Sequence, residues 1–100
     1  MFIHGVYFWT RPDAPADAAE RIAADCRQLL ARIPSVGRLW AGPPAGTPRD
    51  VVDNSYAVGL IVVFDDRAGH DAYQSHELHQ RFIERNKPLW GRVQVYDFEG

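Results

Sequence analysis

Cysteine is nearly missing from this chain. Cys26 stands alone, so no disulfide can close within it. Long apolar runs are missing too: none approaches the ~18 residues that a membrane-spanning helix requires, so no membrane partner is expected. The opening Met1-Phe-Ile-His-Gly-Val lacks the charged start and long apolar run of a secretory signal. We therefore read a cytoplasmic protein. No basic run or stripe occurs, and the net charge is −2, which argues against a nucleic-acid partner. HExxH runs and paired cysteines are also absent. His76 and His79 could both reach one ion, but nothing else supports zinc, and no metal is assigned.

What is present is ordinary globular material. Apolar residues make up 46% of the chain and aromatics 12%, enough for a modest core in a single domain spanning residues 1–100. Titratable groups crowd in one place, Tyr73-Gln-Ser-His76-Glu-Leu-His79-Gln-Arg-Phe82. On a helix, neighbours three or four apart share a side. Tyr73 can then approach His76, and His76 can approach His79. A phenol beside an imidazole sets a proton donor beside an acceptor that titrates near neutral pH. The plainer reading is a pair of structural histidines, hydrogen-bonded on a half-buried helix.

Periodicity supplies the fold. Phe2 to Trp9 alternates as a strand, with Phe2, His4, Val6 and Phe8 on one face and Ile3, Tyr7 and Trp9 on the other. His4 is either a satisfied core histidine or a polar group lining a pocket. A helix follows, with Asp13 as its expected N-cap and Pro15 in its first turn. Its apolar stripe is Ala19, Ile22, Cys26, Leu29, Leu30 and Ile33, and Asp25 falls among the outward residues. Pro34 ends it by disfavouring a helical Ile33. Ser35 to Ala41 is the second strand, followed by a Pro/Gly-rich loop. Ser55 to Phe64 is the third, with Tyr56, Val58, Leu60, Val62 and Phe64 sharing a face. Asp65-Asp66 caps a helix over Arg67 to Gln74. A change of direction near Ser75-His76 is expected, because on an unbroken helix Tyr73 and Phe82 would face opposite sides. His79 to Asn86 continues as helix, and Arg92 to Phe98 is the last strand. The order strand, helix, strand, strand, helix, strand is that of an α+β, ferredoxin-like fold with a four-stranded antiparallel sheet.

Two helices cover one face of such a sheet. Ile3, Tyr7, Trp9, Ile61 and Val63 then lie on the other, and apolar area left in water costs about 25 cal/mol per Å². A second copy, sheet against sheet, is the expected partner.

Several runs carry a family resemblance: Phe2-Ile-His4-Gly-Val-Tyr-Phe, Ile33-Pro34-Ser-Val, Asp53-Asn-Ser-Tyr56, Val63-Phe64-Asp65, His70-Asp71-Ala-Tyr73-Gln-Ser-His76-Glu-Leu-His79, Leu89-Trp90 and Val93-Gln-Val-Tyr96-Asp97. Over nearly its whole length the chain resembles the stress-responsive A/B barrel, or Dabb, proteins. The resemblance implies a homodimer of ferredoxin-like subunits whose sheets form an α/β barrel. One plant member of that family cyclises a linear polyketide with a Tyr and a His, which match Tyr73 and His79. A pocket histidine on its first strand matches His4. The chain departs from the family at Glu77, where Pro is common. It departs from the cyclase at Cys26 and Val58, where the cyclase has a pocket Tyr and a pocket His.

The resulting expectation is a small hydrophobic ligand pocket lined by His4, Val6, Phe8, Val58, Leu60, His76 and Phe82, with Tyr73 and His79 as the catalytic pair. His79 would be the base, Tyr73 the donor to the developing oxyanion, and His4 would orient the substrate. No cofactor is called for. Some plant relatives are associated with magnesium, but no acidic cluster here calls for it. Two alternatives stand beside this enzyme: a binding or stress-protective dimer without chemistry, and a cofactor-free monooxygenase.

Overall fold

Alternation in the two most apolar stretches builds the centre of the sheet. In a computed structural model that describes residues 1–100, β1 (Phe2–Thr10) pairs antiparallel with β3 (Val58–Phe64) from Phe2 opposite Phe64 to Phe8 opposite Val58. On its other side β1 pairs antiparallel with β4 (Trp90–Glu99), and the short β2 (Arg38–Gly42) lies on β3. The strand order is β2-β3-β1-β4. Three helices, α1 (Ala18–Gln28), α2 (Arg67–Ser75) and α3 (Glu77–Asn86), complete the fold. The ferredoxin-like order holds, with its second helix in two pieces.

The core lies between the helices and one face of the sheet. Phe2, Val6 and Phe8 of β1 and Val58, Leu60, Val62 and Phe64 of β3 are buried there against Ile22, Cys26, Leu30, Tyr73 and Phe82. The Val, Leu, Ile and Phe side chains among them each contribute roughly 1.5–3 kcal/mol on burial. Asp66 caps α2 as expected, its carboxylate accepting the Gly69 N–H at 2.9 Å.

Several details differ from the sequence reading. β2 starts at Arg38, not Ser35, and runs to Gly42, because Pro34 and Ser35 form a turn closed by Val36 N–H to Ile33 O. α1 starts at Ala18, not after Asp13, because the chain spends Arg11 to Ala18 on turns closed by Ala14 N–H to Arg11 O and Ala18 N–H to Pro15 O. Asp25 is buried rather than outward, because Arg85 and Asn86 of α3 reach its carboxylate. β3 begins at Val58: Tyr56 precedes it, leaves the alternation, and packs edge-on to Tyr7 on the opposite sheet face. α1 gives way at Leu29 to a single 3-10 turn, Leu30–Arg32, and Ile33 before Pro34 is extended, as the proline dictates.

The second sheet face stays uncovered in the single chain. Ile3, Tyr7, Ile61 and Val63 are half-buried, while Trp40, Tyr96 and Phe98 are largely exposed. No helix is long and apolar enough to cross a membrane.

Candidate functional site

The site begins with the break at His76. Its backbone is extended, φ −69° and ψ 146°, so it ends α2 and opens α3. Its ring Nδ1 accepts the Leu78 N–H at 3.0 Å, doing the work of an N-cap. The bend lets Tyr73 on α2 and His79 on α3 look into one hollow of about 140 Å³ beneath the sheet. Their rings meet edge to face with centroids 4.8 Å apart.

Val6, Phe8, Leu60 and Phe82 line the hollow, and His4 joins them from β1. Two expected residues do not. His76 is the capping residue just described. Val58 shares the correct face and lies opposite Phe8 in the register, but it faces a separate groove on the β2 side of the sheet, with Ala19, Ala23 and Ala41. The hollow is about the volume that holds one benzene-sized ring. Its mouth lies along β4, where Val93 and Val95 line it while remaining 38% and 42% exposed.

Asp97 is the His4 partner that sequence reasoning missed. Strand register sets it opposite His4, and its Oδ1 lies 2.6 Å from His4 Nδ1. A carboxylate only accepts, so Nδ1 carries the proton and donates it. The two residues are 93 apart in the chain, and only the pairing of β1 with β4 links them. The alternation of both strands would have found the pair once that pairing was assumed. His70 of α2 was also missed; it stacks on Phe2 and stands edge-on to His4 with centroids 4.9 Å apart.

Burial governs the electrostatics. It pushes the His4 imidazole below its usual value, with the Asp97 hydrogen bond and charge opposing and His70 adding slightly. Burial likewise lowers His79, helped by His4 and His70. Both rings are therefore neutral at pH 7. The Tyr73 phenol is pushed well above its ordinary range by burial, with Cys26 adding to the shift, and it keeps its proton.

Polar atoms around the hollow are unevenly satisfied. His79 Nδ1 and Trp90 Nε1 are sealed from solvent without a partner. The Tyr73 hydroxyl and the Nε2 atoms of His4 and His79 make no hydrogen bond within the chain either, but none of these three is sealed. All three belong to residues that line the hollow. One ring nitrogen each of His4 and His70 and one Asp97 oxygen lie within 4.8 Å of one another. His4 and Asp97 already bond each other, and His70 contacts Asp71 and Gln74. The trio fits a hydrogen-bonded network better than a ligand set.

The family model described as Stress responsive A/B Barrel Domain matches residues 2–100. No curated protein sequence matches significantly. Among solved structures, the chain is similar to a dimeric ferredoxin-like protein of unknown function from Thermobifida fusca, with TM-score 0.82 and 20% identity over 99% of this chain and 90% of that one. A Dabb family protein with a ferredoxin-like fold from Mesorhizobium loti gives TM-score 0.79 and 21% identity over 99% and 95%. Hydroxynitrile lyase from Passiflora edulis gives TM-score 0.80 and 14% identity over 97% and 90%.

Proposed function

Because the chain belongs to the stress-responsive A/B barrel family, and because the Tyr73 and His79 rings stand 4.8 Å apart on the wall of one hollow, we propose that it binds a small, largely apolar carbonyl compound there and moves a proton on the adjacent carbon. The reaction is of the cyclase or lyase type and uses no cofactor. Tyr73 supplies a phenol donor whose proton is secure at neutral pH. A neutral imidazole supplies the acceptor, and two are at hand, His79 and His4. The ring-sized volume favours a compact ketone or aldehyde over a long polyketide, whose tail would have to run out past Val93 and Val95. The lyase on the same fold is a protein of small-molecule chemistry, which is consistent with this reading and is no more than an analogy.

The working unit we propose is a cytoplasmic homodimer joined through the uncovered sheet face, since Trp40, Tyr96 and Phe98 otherwise stand in water. The dimeric relative described above supports that assembly.

The competing reading is a dimer that holds the same ligand without reacting. A thermal-shift screen of ring-sized ketones, followed by product analysis of each binder, separates the two. Binding with conversion supports the enzyme. Binding without conversion leaves the non-catalytic reading, and absence of any binder removes both.

A further inference from the structure

The hollow has two walls. His4 stands on the sheet wall, and Tyr73 and His79 stand on the helix wall, with His4 and Tyr73 ring centroids 5.9 Å apart. The protons on the two histidines follow from their partners. His4 Nδ1 must be an N–H, because its partner at 2.6 Å is a carboxylate. A neutral His4 therefore keeps a bare Nε2 as an acceptor, on a ring that lines the hollow.

His79 is arranged the other way. Its Nδ1 is sealed and has no acceptor. A proton there would be a buried donor with its hydrogen bond unmade, which costs about 1–3 kcal/mol. The proton belongs on Nε2, the commoner form of free histidine, where a ligand or water can accept it. Three unsealed groups thus carry two donors, Tyr73 O–H and His79 Nε2–H, and one acceptor, His4 Nε2.

We propose that His4, held by Asp97, is the base of this site, and that His79 acts with Tyr73 as a hydrogen-bond donor to the substrate oxygen. The inference rests on the proton-transfer reading above and assigns its roles differently from the Tyr–His pair suggested by resemblance. In the step, the carbon–hydrogen bond next to the carbonyl breaks and its proton passes to His4 Nε2. The electron pair left on carbon forms the new carbon–carbon double bond as the carbonyl pair moves onto oxygen. The enolate oxygen is held by Tyr73 and His79, which keep their protons. His4 becomes an imidazolium beside the Asp97 carboxylate, and Asp97 itself takes no proton. Returning the proton, or a solvent deuteron, to carbon closes the cycle. Asp97 is a positioning residue: it fixes the ring and its tautomer, and it balances the charge that forms.

Two measurements test this together. Two-bond nitrogen–proton correlation spectra of the ¹⁵N-labelled protein at pH 7.5 report each tautomer, with peaks assigned through His4→Gln and His79→Gln. His4 protonated on Nδ1 and His79 on Nε2 is the expected result; His79 protonated on Nδ1 overturns the assignment. Deuterium incorporation next to the carbonyl of cyclohexanone, followed in D₂O, reads the chemistry. His4→Gln should lower exchange about a hundredfold or more, the scale of a lost general base.

The groups facing His4 are Asp97 from β4, His70 and Tyr73 from α2 and His79 from α3. Removing the carboxylate should therefore move the acid limb of kcat/KM to lower pH. Asp97→Asn should also cut kcat about tenfold or more with KM little changed. It serves as the test if His4→Gln does not fold. His79→Gln should slow exchange but leave the acid limb where it is. A His4 variant that keeps wild-type exchange, or an Asp97 variant with an unmoved limb, refutes the role of the pair. Expected tautomers in a wild-type protein that exchanges no ketone would sink the proton-transfer reading and this assignment with it. Reversed tautomers with exchange intact would sink the assignment alone.

Discussion

Asp25 of α1 and Arg85 of α3 meet in a two-point contact, Nε to Oδ2 at 2.8 Å and Nη2 to Oδ1 at 3.2 Å, and so tie the first helix to the last. Asn86 adds a third bond, 3.0 Å from its Nδ2 to Oδ2, and a fourth, 2.9 Å to Phe82 O. Asp25 is buried while the Arg85 side chain is 61% exposed, so the carboxylate depends more on the contact than the guanidinium does. Asp25→Ala should lower stability by roughly 1–3 kcal/mol, mainly by stripping Asn86 and Arg85 of their acceptor. Urea midpoints of the variant and of Arg85→Ala check this. The arginine change should be the milder of the two, because its loss leaves Asp25 with Asn86.

His76 holds the bend between α2 and α3 through its ring. His76→Ala should cost about 1 kcal/mol, the usual value of a lost N-cap. That corresponds to a fall of about 4–8 °C in Tm for a domain of this size. His76→Asn, which can cap from the same position, should recover most of the loss. Equal melting temperatures for wild type and His76→Ala would show that the ring does not hold the bend.

Stability should fall on mild acidification. Burial holds His4 and His79 below the ordinary histidine value in the folded chain, and unfolding returns both to about 6.5. Below about pH 6.5 the unfolded state takes up protons that the folded state refuses, so unfolding gains. Well above the unfolded value of about 6.5 neither state binds these protons and the contribution is flat. Denaturant midpoints between pH 7.5 and 5.5 should therefore drop as pH falls. The slope should shrink in His79→Phe, whose ring cannot titrate.

The uncovered sheet face predicts assembly. Light scattering at micromolar concentration should give twice the mass of one chain. Tyr96→Asp together with Phe98→Asp, placing charge where apolar rings now stand, should give one. A wild-type monomer would count directly against the sheet-to-sheet dimer.

Local pattern revealed a good part of this structure. The alternation of β1 and β3 named the core face residue by residue, and the need for Tyr73 and Phe82 both to face inward located the break at Ser75-His76. From that break follows the shared hollow of Tyr73 and His79. What escaped depends on contacts distant in sequence. Asp97 stood only as one residue of the last strand, and its pairing with β1 was needed to set it on His4. Asp25 read as a solvent residue, because helical spacing cannot show that Arg85 and Asn86 come to meet it. Spacing also misled at His76, since the rule that joins it to Tyr73 and His79 assumes the very helix that it interrupts. Val58 was assigned the correct face, but alternation does not say how far across the sheet a cavity extends.

Cys26 lies fully buried in the core, and its thiol is raised to about 12, chiefly by burial. Only the thiolate reacts readily with alkylating reagents. The closed protein should thus be almost inert to them at neutral pH, while any excursion that frees the thiol restores ordinary reactivity. The single sulfur is in this sense a built-in clock: its modification rate, measured with and without a ketone in the hollow, times how often the helical layer lifts from the sheet.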